Sequence, residues 1–343
     1  MADTTAAPAA TAAQRPLWLM MLAACVIVAL SMGIRQVMGL YLKPITSSLG
    51  VGREAFGFAM AVANLVWGAG APFAGAIADK YGTGRVVAFG ALMTVIGLVT
   101  MRYGQSELML VVSGFFLGLG VCGTGVTILV GAVGRAATPE KRTNAIAAIG
   151  LGSGFGQLLA IPYTHLLIEM SGWQQSLIVL AVTTLVMLPL AAMFGGNSAA
   201  SAAGKPQTLK EALSEAFGHP SFWLLTAGFF VCGFHVSFYA VHLPAFVTDK
   251  GLTSNIAMWA LVVVGIGNLV GTWLAGKSAQ YVPKRYSLCF IYLGRAAIFL
   301  AILYVPITEV SILILSALLG LLWLSTVPLT SSMVATLDRK SVV

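Results

Sequence analysis

Apolar runs of about 20 residues recur along the whole chain, each the length a helix needs to cross a ~30 Å hydrocarbon core. They fall near residues 17–42, 55–78, 84–103, 108–133, 143–168, 173–195, 220–246, 254–276, 286–306 and 310–335. Runs of this kind leave little choice of fold. In lipid every backbone N–H and C=O must find a partner within the protein, and only helices and closed barrels achieve that. Barrel strands would show short segments of alternating polarity, which these runs lack, so the chain is expected to be an all-α membrane protein. The composition agrees: 58% of residues are hydrophobic and 9% charged, too few polar groups to cover a soluble protein of this length.

Charge and cysteine content remove several function classes. The net charge of +8 is spread among loops with no basic stripe, so no nucleic-acid partner is expected. Cys25, Cys122, Cys232 and Cys289 stand far apart in separate apolar runs, with no metal-ligand spacing. Neither a metal nor another cofactor is called for. No nucleophile–base cluster is present either, so the chain does not read as an enzyme.

Residues 1–16 are alanine-rich and almost uncharged, and read as a disordered tail ahead of a retained first span. Six apolar runs occupy 17–195. A polar connection at 196–219, ending in an amphipathic "TLKEALSEAFGHP", separates them from four more at 220–337. With the N-terminus cytoplasmic, the inner loops hold Arg15, Lys80, Arg85, Arg135, Lys141, Arg142, Lys205, Lys210, Lys277, Lys284 and Arg285. The other side holds only Lys43, Arg53, Arg102 and Lys250. That bias predicts an N-in topology.

The loop after the second run reads Gly75-Ala-Ile-Ala78-Asp79-Lys80-Tyr-Gly82-Thr-Gly84-Arg85, and the loop after the eighth reads Gly276-Lys-Ser-Ala279-Gln280-Tyr-Val-Pro-Lys284-Arg285. Gly and Ala coincide at a constant offset, the mark of repeated halves. "GAIADKYGTGR" resembles the G-x-x-x-D-R/K-x-G-R-[RK] loop of the major facilitator superfamily. The resemblance implies two pseudo-symmetric six-helix halves and a cytoplasmic latch built on Gly75, Asp79, Lys80, Gly82 and Arg85. Gln280 replaces the acid in the second copy. "IRQVMGLYLKPI" and "GFHVSFYAVHLPAFVTDKGL" are similar to bacterial monocarboxylate and oxalate/formate exchanger-like members. That likeness implies a small organic anion as substrate, moved by exchange or with protons, in a bacterial inner membrane. It also implies a monomer whose partners are that anion and the bilayer. Where that group carries an Asp-x-x-x-Arg pair in the eighth span, this chain holds Asn268 and Thr272.

Six spans against four predicts a chain truncated after the tenth helix, because a symmetric fold needs two more. Residues 338–343, Asp-Arg-Lys-Ser-Val-Val, are what a common sequencing-library adapter encodes, so this tail is expected to be non-native.

Arg35 is the residue that most needs explaining. It lies well inside the first run, where a charge is costly unless it faces a polar cavity or a partner. Arginine holds its proton and presents a planar fork of donors, which suits a carboxylate better than proton relay. Tyr41, Gln157 and His235 are expected beside the substrate, with His242, Asn64 and Arg295 as supporting or proton-linked groups. His235 and His242, seven residues apart, share a helix face. Trp67 and Trp323 are further candidate walls, and Lys43 reads as an interface anchor. No Asp or Glu falls mid-span. Gly118-x-Gly120-x-x-Gly123 matches a dinucleotide fingerprint but sits mid-span without a preceding strand, so it reads as a packing face. Two rival readings are an exporter of drugs or other uncharged solutes, which Arg35 disfavours, and a non-transporting membrane sensor.

Overall fold

Lipid forces the backbone of each apolar run to satisfy itself, and in a computed structural model of the protein the described residues of every run are helical over most of their length. The structure describes residues 16–195, 217–218, 220–278, 281–330 and 333. The expected tail at 1–16 (but for its last residue), most of the 196–219 connection, Gln280 and the 338–343 tail lie outside these. The elements are α1 (Leu17–Leu49), α2 (Arg53–Tyr81), α3 (Thr83–Tyr103), α4 (Glu107–Thr124), α5 (Val126–Ala136) and α6 (Pro139–Leu185). After them come α7 (Met187–Ala191), a 3-10 turn (Ala192–Phe194), α8 (Pro220–Asp249), α9 (Ser254–Ser278), α10 (Lys284–Tyr304) and α11 (Glu309–Leu321).

Helix number and crossing number differ at two breaks. Gly125 takes an extended conformation and separates α4 from α5, which together make the fourth crossing, Glu107–Ala136. The apolar helical stretch Glu140–Phe194 runs 55 residues, roughly 80 Å at 1.5 Å per residue, far beyond one bilayer. It reverses at Gly172, whose φ of 78° and ψ of 163° are open only to glycine. The limbs on either side of Gly172 are therefore the fifth and sixth crossings, and the described residues hold ten. Helices outrun the apolar runs by a turn or two. α1 continues through Lys43-Pro44 to Leu49, where Gly50 in the left-handed region ends it.

Backbones approach through small residues. Gly156 of the fifth crossing lies against Ala29 of α1, so closely that a Cβ there would collide with it. Gly114 of α4 sits against Ala59 of α2, and Gly320 of α11 against Val264 of α9. The second–fourth pairing of the first half is thus repeated as eighth–tenth in the second, as the loop repeat predicts. Gly118 packs on α2, while Gly120 and Gly123 pack on α3. The would-be dinucleotide motif is a helix-packing face. Between the halves, α1 crosses α8 at Gly39, where a Cβ would meet the Ala240 carbonyl, and the fifth crossing meets α9 through Gly154–Leu269 and Leu158–Gly265.

Arg295 shows how the second half is tied together. α11 ends at Leu321, ahead of a non-helical stretch, and this frees its last carbonyls. The Arg295 guanidinium, 1% exposed, donates through Nε to the Leu322 carbonyl at 3.0 Å and through Nη2 to the carbonyls of Leu322 and Trp323. A cation at a helix C-terminus complements the dipole there. Asn268 binds the same break, its Oδ1 accepting from Leu324 N at 3.1 Å and from Thr272 Oγ1 at 3.3 Å.

Candidate functional site

Arg35 lies four residues before the α1–α8 crossing, and a cavity of ≈ 50 Å³ opens there. Its walls come from α1, α2, α3, α4 and α8, with Arg35, Asn64, Trp67 and Ser237 among the polar and aromatic contributors and Met38, Leu117 and Ala240 among the apolar ones.

The guanidinium is held but not neutralised. Nη2 donates to Asn64 Oδ1 at 3.2 Å, and the Arg35 Cζ lies 5.0 Å from the Trp67 ring centroid. Asn64 in turn donates through Nδ2 to the Met60 carbonyl at 2.8 Å, which fixes its amide with the oxygen toward Arg35. Among the described residues no carboxylate lies within 4 Å of Arg35. One of the five guanidinium N–H groups is engaged, leaving donors for a cavity occupant. A largely apolar chamber with one fixed positive charge and spare donors is suited to an anion.

A neighbouring pocket of ≈ 200 Å³ shares Met60, Asn64, Ser237 and Val241 with the first and adds Gly57, Phe238 and His242. The His242 ring lies tilted against Phe238, 4.8 Å between centroids. Asn64 thus lines both pockets, with Arg35 in the first and His242 in the second.

Other residues expected at the substrate stand elsewhere. Tyr41 is fully buried, its hydroxyl paired with Ser176 of the sixth crossing at 2.9 Å. Gln157 donates to the Ser153 carbonyl and hydroxyl, both at 3.3 Å, and lines neither pocket. His235 packs at 4.8 Å against Phe299 of α10, a different neighbourhood from His242. Arg295 is occupied by the α11 break, and Trp323 packs edge-on against Tyr239.

At the loop between α2 and α3, Gly82 is the entire connection; its φ of 97° and ψ of 138° suit glycine. Asp79 pairs with Arg135 at the end of α5, 2.8 Å away, and Arg135 also donates to Thr83 at 3.3 Å. Lys80 lies over the Tyr81 ring, Gly75 is half-buried in α2, and Arg85 is exposed with no ion pair among the described residues. Arg135 is a residue that sequence reading counted only toward topology. Its pairing with Asp79 is tertiary, and no local pattern announces it.

A family model described as Major Facilitator Superfamily matches residues 21–342. The chain is 26% identical over 278 residues to monocarboxylate transporter 11 of Mus musculus, covering 78% of this chain and 61% of that protein. The human protein of the same name is 26% identical over 282 residues, with 78% and 58% covered. Putative transporter AraJ of Escherichia coli (strain K12) is 24% identical over 253 residues, with 71% and 61% covered. The chain thus spans about three fifths of the length of these curated relatives. Among solved structures, a bacterial homolog of the human lysosomal transporter Spinster, inward-facing and unoccupied, superposes with a TM-score of 0.71 at 15% identity over 92% of this chain and 74% of that one. A D-xylose-proton symporter gives 0.65 at 15% over 90% and 80%. At such identities these structures speak to the fold alone. With the repeated second–fourth and eighth–tenth pairing and the Asp79 loop already in place, the match across nearly the whole length settles the assignment: the chain belongs to the Major Facilitator Superfamily.

Proposed function

We propose that the protein is a secondary transporter of small organic anions, monocarboxylates or short dicarboxylates, working by alternating access between residues 17–195 and 220–337. The observation that carries this reading is Arg35, a charge within the membrane-spanning bundle, donating to one amide and facing a cavity with no carboxylate within 4 Å among the described residues. The monocarboxylate name of the mouse and human relatives points the same way. Among the described residues no Asp or Glu lines either pocket around Arg35, and His242 is the one imidazole there. Anion exchange, or a proton travelling on the substrate or on His242, fits this better than an acidic relay. The lysine and arginine distribution favours an orientation with the Asp79 loop and the N-terminus cytoplasmic and the C-terminal end of α1 outside, and the likeness to bacterial exchangers favours a bacterial inner membrane.

Counterflow in proteoliposomes with labelled lactate, pyruvate, formate and oxalate tests the reading. At least one anion is expected to exchange. Arg35→Ala should weaken its apparent affinity about tenfold to a hundredfold, the worth of a charge-assisted hydrogen-bond pair. Transport unchanged in Arg35→Ala would refute the assignment.

A further inference from the structure

Beyond Arg35, the strongest unassigned cluster lies two turns further along α1, roughly 12 Å away. There Lys43 of α1 and Arg53 of α2 converge on one carboxylate, Asp249, the last residue of α8. Lys43 Nζ donates to Asp249 Oδ1 and to Thr248 Oγ1, each at 3.2 Å. Arg53 grips the carboxylate with both arms, Nη2 to Oδ1 at 3.0 Å and Nη1 to Oδ2. Both cations belong to the first half and the carboxylate to the second. Among the described residues, every side-chain hydrogen bond between the halves lies at this end: these contacts and the Ser254–Glu169 bond at 3.3 Å.

Beneath the cluster is a chamber of ≈ 270 Å³ lined by Lys43, Ser47, His165, Glu169, Thr248 and Ser254, drawn from both halves. The Gly39–Ala240 crossing lies between this chamber and the Arg35 cavity. When the halves separate at this end, Asp249 leaves with α8 while Lys43 and Arg53 stay on one wall. Glu169 is on that wall too, but it sits 3.1 Å from His165 and beyond 4 Å from either cation. Two cations then face the opening with their carboxylate removed.

We propose that Asp249 occupies an anion site in the closed state, and that Lys43 and Arg53 receive a substrate carboxylate at that site once the halves part. The device is both gate and first binding station: the carboxylate that shuts this end is of the same chemical class as the solute proposed to enter there. The proposal rests on the carboxylate reading above for its ligand, but not for its gate.

Two readouts test it on the reconstituted chain. Spin labels at Ser48→Cys and Asn255→Cys, both exposed on opposite halves, report the opening in a background whose four cysteines are serine. Asp249→Asn is expected to shift the distance distribution to longer separations, while Asp249→Glu, which keeps the charge, restores the shorter one. Lys43→Gln with Arg53→Gln should widen the same distance. Oxalate entry from this side then separates the two roles: its KM is unchanged or lower in Asp249→Asn but raised about tenfold in the Lys43/Arg53 double variant. An unaltered distance distribution in Asp249→Asn overturns the gate. An equal KM for oxalate in the two variants overturns the anion site. Failure of the anion reading at Arg35 shows instead as unchanged transport in Arg35→Ala, and leaves the distance result standing.

Discussion

Two arginines give the same signal in the sequence and have opposite fates. Arg35 and Arg295 are each a permanent charge in an apolar run, where the cost of burial demands a polar partner or a cavity. Arg295 is engaged by the carbonyls freed where α11 ends, whereas Arg35 is left with one amide, one indole and an open space. The two should therefore separate experimentally. Arg295→Leu strips donors from buried carbonyls at about 1–3 kcal/mol each, so it is expected to lower the unfolding temperature of the detergent-solubilised protein and leave the anion affinity of the folded fraction near wild type. Arg35→Ala should do the reverse. A wild-type melting temperature in Arg295→Leu would contradict the structural role. What made Arg35 legible in sequence was contrast, a charge among Met, Gly and Leu. What hid Arg295's role is that nothing in "LLWLSTVPL" announces a helix break facing α10. The seven-residue spacing of His235 and His242 predicts a shared helix face, yet His235 packs on Phe299 of α10 while His242 lines a pocket with Gly57 and Asn64 of α2, and no periodicity reports which neighbour a residue meets.

At the scale of elements, the fold is written in glycines that the apolar runs alone do not explain. Run length predicted ten crossings, yet it could not say that α2 and α3 are joined by one residue or that the fifth and sixth crossings turn at another. Both junctions require backbone angles that a Cβ opposes: Gly82 at φ 97° and Gly172 at φ 78°. Gly82→Ala is expected to destabilise by about 1–3 kcal/mol through strain at the turn, read as a lowered melting temperature. A fully stable Gly82→Ala would show that the turn relaxes without cost. Gly39 is a different case, since its task is proximity. A methyl group there meets the Ala240 carbonyl across the α1–α8 crossing. In a close-packed interface that cannot deform continuously, Gly39→Ala should push the halves apart near Asp249, and the Ser48/Asn255 label distance should lengthen without any loss of helix content by circular dichroism. An unchanged distance would mean that the crossing yields locally and does not govern closure.

At the scale of the whole molecule, the two ends of the described bundle are tied differently. Among the described residues, the Asp79 end is tied within the first half, Asp79 to Arg135, while the Asp249 end is tied across the halves. The loop motif, by its resemblance, implied a latch at the first end. It was silent on the second, because Asp249 lies some 200 residues from Lys43 and Arg53 in sequence and only the packing of α8 against the first half unites them. Alternating access requires the Asp249 end to open once per cycle, so fixing it shut should arrest the cycle without touching the Arg35 cavity. Glu169 and Ser254, 3.3 Å apart across the halves, are the positions to fix. With both replaced by cysteine in the serine background, a short reducible bis-thiol crosslinker is expected to abolish counterflow, and reduction to restore it. The crosslinked protein should still bind the transported anion from the Asp79 side, measured by equilibrium binding in detergent, because Arg35, Asn64 and Trp67 all belong to the first half and keep their contacts. Sustained counterflow in the crosslinked protein would show that solute passes without separation at this end, and with it both the gate at Asp249 and the rocking motion would have to be abandoned.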